Sequence, residues 1–152
     1  MRTWIIGIFS VFFLISGPFC QAQGKFSSVI KNKQLIEQGE FHQARSNLEK
    51  ITIQQPNDAE AWLWLGVANY HTGSPKTAVD ALVTALSKKL SQEDKVIAYN
   101  YAGSAYFRMN YWEESIEQYS RSLFLQPGNL VTLVSRGNAL HWSGNYKGAL
   151  HD

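Results

Sequence analysis

The chain has 152 residues, a formal net charge of +2, 45% hydrophobic and 13% aromatic residues, and one cysteine. A near-neutral balance with no block of basic residues gives nucleic acid no electrostatic footprint. One cysteine rules out an internal disulfide framework, so stability has to come from packing.

The N-terminal segment differs from the rest. Arg2 precedes an apolar run from Trp4 to Ile15, and Ser16 to Ala22 is small and polar, which is the layout of a secretory signal peptide over residues 1–22. Cys20 and Ala22 take the −3 and −1 positions of the cleavage site, before Gln23. The expectation is an exported chain, periplasmic or secreted. The alternative is a membrane anchor retained over residues 4–19, a run short for a spanning helix. Lipid attachment at Cys20 is disfavoured by the bulky Phe19 before it. Cleavage would remove the only cysteine.

From residue 25 one ruler fits the chain. Ala44, Ala78, Ser115 and Ala149 stand 34, 37 and 34 positions apart, and Gly39, Gly73, Asn110 and Gly144 keep the same intervals. Gly66, Gly103 and Gly137 follow it, as do Leu48, Leu82 and Tyr119, and Pro56 with Pro127. A fixed period of this length indicates a stacked array. The units are 25–58, which is divergent, then 59–95, 96–129 and an incomplete 130–152.

The second unit is the most complete. Trp62, Leu65 and Gly66, then Ala78, Leu82 and Ala85, form two helical stripes. Asn57 with Glu60 offers a helix start, and Gly73-Ser74-Pro75 a stop followed by a new start. The small residues Gly66, Ala78 and Ala85 are expected where the paired helices approach most closely. The three extra residues of the 37-residue interval fall in 88–95, where Ser91 and Asp94 form a second capping box. A longer loop or an extended helix start is expected there.

The pattern W-x2-L-G followed by A-x3-L-x2-A resembles the tetratricopeptide repeat (TPR) family. Tyr99, Gly103, Tyr106, Ser115, Tyr119, Ser122 and Pro127 continue it in the third unit, and Gly137, Leu140, Gly144, Tyr146 and Ala149 in the fourth. In the first unit only Gly39, Phe41, Ala44, Leu48, Ile51 and Pro56 match, with Ser28 and Asn32 where an aromatic and a glycine are usual. The resemblance covers residues 25–152 and implies an all-α fold, a right-handed α-solenoid of antiparallel helix pairs.

In such arrays the face of each first helix opposite the core stripe lines a concave groove, so the resemblance gives that face a binding role. Here it carries Glu60, Leu63, Trp64, Val67, Tyr70 and His71. Ile97, Asn100, Tyr101, Ser104, Phe107 and Arg108 follow, then Val131, Val134, Ser135, Asn138, His141 and Trp142. Aromatic and arginine content is typical of interface anchors. The expected partner-binding residues are Trp64, Val67, His71, Asn100, Tyr101, Ser104, Arg108, Asn138 and Trp142. Some members of the family grip a peptide's terminal carboxylate with a Lys, Asn, Asn, Lys, Arg set. Val29, Lys33, Trp64, Ile97 and Tyr101 do not supply it, nor do Leu63, Val67, Tyr101, Val131 and Ser135.

Chemistry is thin. His42, His71, His141 and His151 form no close metal-ligand spacing, and no Gly-x-Ser-x-Gly turn is present. Glu113-Glu114 reads as a charged helix start. No cofactor, metal or catalytic residue is expected. The function implied is a non-catalytic adaptor of the cell envelope binding a peptide segment of another protein. The alternative is an accessory arm of a longer envelope peptidase or transferase. The fourth unit stops two turns into its second helix, which is expected to leave Leu133, Leu140 and Trp142 partly uncovered. A longer protein, self-association at that end, or fraying are the three expectations it raises.

Overall fold

The computed structural model describes the backbone from residue 18 and the side chains from residue 28, both to residue 152. The signal-peptide reading lies outside the described residues except for 18–22, whose backbone opens the first helix. Among the described residues eight helices follow one another: α1 (Pro18–Glu37), α2 (Phe41–Gln54), α3 (Ala59–His71), α4 (Pro75–Leu86), α5 (Gln92–Arg108), α6 (Trp112–Leu125), α7 (Leu130–Trp142) and α8 (Tyr146–His151). No described helix is long and apolar enough to cross a membrane.

Each helix packs on the next. In addition the odd-numbered helices touch one another, α1 with α3, α3 with α5 and α5 with α7. No such contact joins α2 to α4 or α4 to α6. Close odd helices and splayed even ones curve the stack, so the odd helices line its concave side. The result is an α-solenoid of antiparallel pairs.

The turns inside the pairs are built alike. Gly39, Gly73, Asn110 and Gly144 have φ of 83°, 80°, 64° and 84°, and Asn110 is the only described residue other than glycine with positive φ. This is the left-handed stop that glycine adopts freely and asparagine tolerates. At each one the following amide reaches back to the helix, as Glu40 N–H does to the Leu35 carbonyl and Tyr111 N–H to that of Tyr106.

The helix starts need one correction. Asp58, not Asn57, caps α3, accepting from the Ala61 amide at 3.2 Å. Asn129 does the same for α7, from Thr132. The cap must be the last extended residue before the helix, and the ruler pairs Asp58 with Asn129, a match visible in the sequence. Ser74 holds the expected position before α4 without a side-chain cap bond. The extra residues of the second interval lengthen α5 at its start, where Ser91 accepts from the Asp94 amide at 3.0 Å.

Ala44, Ala78 and Ser115 are fully buried at the α1/α2, α3/α4 and α5/α6 crossings. The Ser115 hydroxyl donates to the Gly103 carbonyl at 2.9 Å. In the fourth pair Ala149 is half-buried. Leu140 is buried rather than uncovered, while Trp142 is 63% exposed. Arg136 forks onto Asp152 and also donates to Ser120 at 3.2 Å, tying the fourth pair to α6.

Ser122 departs from the pattern of Ser115. It is 0% exposed and its hydroxyl has no partner, whereas Ala85 fills the same place in the second pair. Leaving a buried hydroxyl unpaired costs about 1–3 kcal/mol. Ser122→Ala is therefore expected to raise the thermal midpoint by about 2–4 °C per kcal/mol regained. A lower midpoint in a melting curve would contradict it.

Candidate functional site

The concave side carries two clusters of rings with a polar cleft between them. The first forms where α2 starts beside the ends of α3 and α5. Phe41 stacks on His71 with centroids 4.3 Å apart and planes 8° from parallel. Tyr101 meets both Tyr70 and His71 edge-on, and its hydroxyl lies 3.2 Å from His71 Nε2. Arg108 closes the group, its guanidinium 5.0 Å over the Tyr70 ring and Nη1 donating to the Tyr70 carbonyl at 3.0 Å.

The second cluster repeats the first two units further on. Trp112 stacks on Trp142 at 5.8 Å and 22°, Phe107 meets Trp112 edge-on, and His141 meets both Trp142 and Tyr146. The same ruler positions are used: a ring opening an even helix stacks on a ring closing the next odd helix. Offset and edge-on aromatic pairs contribute about 0.5–1.5 kcal/mol beyond the area they bury.

Between the clusters, α3, α5, α6 and α7 line an open cleft of about 150 Å³. Tyr70, Phe107 and Tyr119 give it ring walls; Ser104, Arg108, Ser135 and Asn138 give it polar groups. The Ser104 and Tyr119 hydroxyls pair at 2.9 Å, and burial pushes the Tyr119 phenol above its ordinary range, the Ser104 bond opposing. A larger cleft of about 460 Å³ lies towards the start of α5, lined by Gln92, Asn100, Gln126 and Asn129 among others.

The nine residues expected from the sequence fall into separate places. Ser104, Arg108 and Asn138 share the smaller cleft. His71 and Tyr101 belong to the first ring cluster, and Trp142 to the second. Asn100 lines the larger cleft and accepts from the Thr132 hydroxyl at 2.9 Å, bracing α5 against α7. Trp64 and Val67 are interior, at 9% and 0% exposure. Packing of α3 between α1 and α5 closes over them, so Val67 offers no side-chain surface and Trp64 little, with Lys33 Nζ over its ring at 5.2 Å from the centre. Phe41, Trp112, Tyr146 and Tyr119 were not among the nine. The first three share one ruler position and all are aromatic, a signal present in the sequence.

His71 makes the first cluster sensitive to pH. Burial, and then the charge of Arg108, hold its imidazole below the usual histidine range. Burial and then Tyr70 raise the Tyr101 phenol, so Arg108 is the charge that faces the ring. With a depressed native value, the unfolded chain binds the proton more readily. The stability contributed by the neutral ring is then complete above the unfolded value of about 6.5 and is lost as pH falls through the lower folded one. The urea midpoint is expected to fall between pH 7 and 5, and His71→Gln to flatten part of that fall. An unchanged slope would contradict it.

Among the described residues no group of three or more His, Cys, Asp or Glu could hold a metal ion. What the side presents is a row of ring platforms and hydrogen-bond donors along a curved surface.

Residues 33–89 match the family profile of the tetratricopeptide repeat. Several solved structures share the fold. A crystal structure of MamA protein has 24% identity and a TM-score of 0.76, over 88% of this chain and 71% of that one. MamA 41-end from Desulfovibrio magneticus RS-1 has 19% identity and a TM-score of 0.73, over 84% and 70%. The first TPR of Spaghetti (RPAP3), bound to the HSP90 peptide SRMEEVD, has 19% identity and a TM-score of 0.72, over 80% and 94%. No curated protein matches the sequence.

Proposed function

We propose that this chain, which belongs to the tetratricopeptide repeat family, is a non-catalytic scaffold that binds a peptide segment of a partner protein along its concave side. The observation that carries the reading is the pairing of two ring clusters, the first half-buried with His71 at its surface and the second with His141, Trp142 and Tyr146 exposed, with the donor-lined cleft between them. Ring platforms supply contact area at little conformational cost, and the polar groups set register. The peptide held by the first TPR of RPAP3 supports a polypeptide as the class of ligand. The residues that would receive one here are this chain's own: His71, Tyr101, Ser104, Arg108, Asn138 and Trp142.

The partner in this proposal is another protein of the cell envelope, and the chain is exported. The leader-like layout of residues 1–22 supports that part. N-terminal sequencing of protein recovered outside the cytoplasm would read Gln23 first; Met1 would contradict cleavage.

The groove itself is tested with a displayed library of random 12-residue peptides selected on the whole chain. Tyr101→Ala and Trp142→Ala are each expected to weaken the selected peptides at least about tenfold, while Ile53→Ala and Phe124→Ala, exposed on the even helices, leave binding unchanged. The reverse pattern would overturn the assignment.

A further inference from the structure

Four arginines lie among the described residues, and three have carboxylate partners. Arg45 pairs with Glu49, Arg121 with Glu117 and Arg136 with Asp152. Arg108 does not; its recorded contacts are the Tyr70 ring and the Tyr70 carbonyl. Those contacts fix the guanidinium's plane and direction while using one of its five donors. The other four remain for something else.

The surroundings say what that is. The cleft beside Arg108 has no acidic residue in its lining. Asn138 brings two amide donors to it, and the Ser104–Tyr119 hydroxyl pair keeps one hydrogen to give whichever of the two donates to the other. The volume of about 150 Å³ is several times the ~30 Å³ of a water molecule, enough for a short side chain with a planar head. A fixed fork of donors matches a carboxylate, and one guanidinium balances one negative charge, where a phosphoryl group carries nearly two.

We propose that this cleft receives the side-chain carboxylate of an aspartate or glutamate within the partner's polypeptide, held by Arg108 and Asn138. The proposal rests on the concave side being a peptide groove and adds the chemistry of its central contact. The ring clusters on either side take the apolar residues flanking that acid.

The test uses the same library, with peptides synthesised as C-terminal amides. On the wild-type chain selected peptides are expected to carry an enriched acidic position. Changing that residue from Glu to Gln weakens binding about tenfold or more, and less than about twofold on Arg108→Gln. Arg108→Glu, at an exposed site whose folding is checked by circular dichroism, moves the preference to lysine at that position. If peptides bind, and lose binding with Tyr101→Ala, but the Glu-to-Gln change is neutral, the carboxylate assignment is overturned and the groove stands. If only free chain termini bind, the side-chain assignment is overturned. If no peptide is selected, the groove reading falls, and the carboxylate assignment with it.

Discussion

Leu82→Ala is expected to lower the free energy of unfolding by about 2–5 kcal/mol. Leu82 is fully buried on α4, and it fills the notch that Gly66 leaves on α3. A Cβ at Gly66 would lie 2.5 Å from Leu82 Cγ, so the leucine sits against bare backbone and its loss leaves a void that α3 cannot close. The α3/α4 pair is central, and in an array each pair is stabilised largely by its neighbours. Urea unfolding is therefore expected to show a lower midpoint and a shallower slope, as the pairs on either side uncouple. Leu150→Ala, at 90% exposure, should move the midpoint little. Equal effects from the two would contradict this picture of the core.

Alanine at Gly66 and at Gly137 is expected to act in opposite directions. The two glycines hold the same place in their pairs, and alanine improves helix propensity at both by about 1 kcal/mol. At Gly66 the added carbon meets Leu82 at 2.5 and 2.8 Å and the Ala78 carbonyl at 3.2 Å. Overpacking of that kind costs about 1–3 kcal/mol, and valine would make it worse, so the clash outweighs the propensity. At Gly137 the nearest atoms are at 3.6 and 3.7 Å, ordinary contact, so propensity decides and the chain gains about 1 kcal/mol. Thermal melts of the two variants side by side check the contrast. A stabilised Gly66→Ala would mean that α3 and α4 are not in close contact there.

Much of the fold was legible because the array obeys local rules. The left-handed stops, the small residues at three crossings and the lengthened start of α5 each follow from residues within one unit. Asn110 shows how far this goes: it took the place of a glycine in the ruler and takes the same backbone conformation, φ 64°.

The candidate site was less legible, because ruler positions that are equivalent in sequence are not equivalent in space. Val67 and Asn138 hold corresponding positions; one is fully buried and the other exposed. Leu63 and Val134 correspond too, at 0% and 64% exposure. What separates them is the neighbourhood: α3 lies between α1 and α5, whereas α7 has α5 on one side. A face read from one helix takes no account of which helices cover it. The stacked pairs were missed for a related reason, since Phe41 and Trp112 open even helices and join the concave side only through rings on the following odd helix.

The central claim is that the odd-helix side receives a partner's polypeptide. Backbone amide shifts of the labelled chain, recorded as a library-selected peptide is added, test it directly. The expected result is shifts concentrated at His71, Tyr101, Ser104, Arg108, Asn138 and Trp142, with Ile53, Val83 and Phe124 on the even helices unmoved. Shifts confined to those last three, with the concave residues silent, would contradict the account.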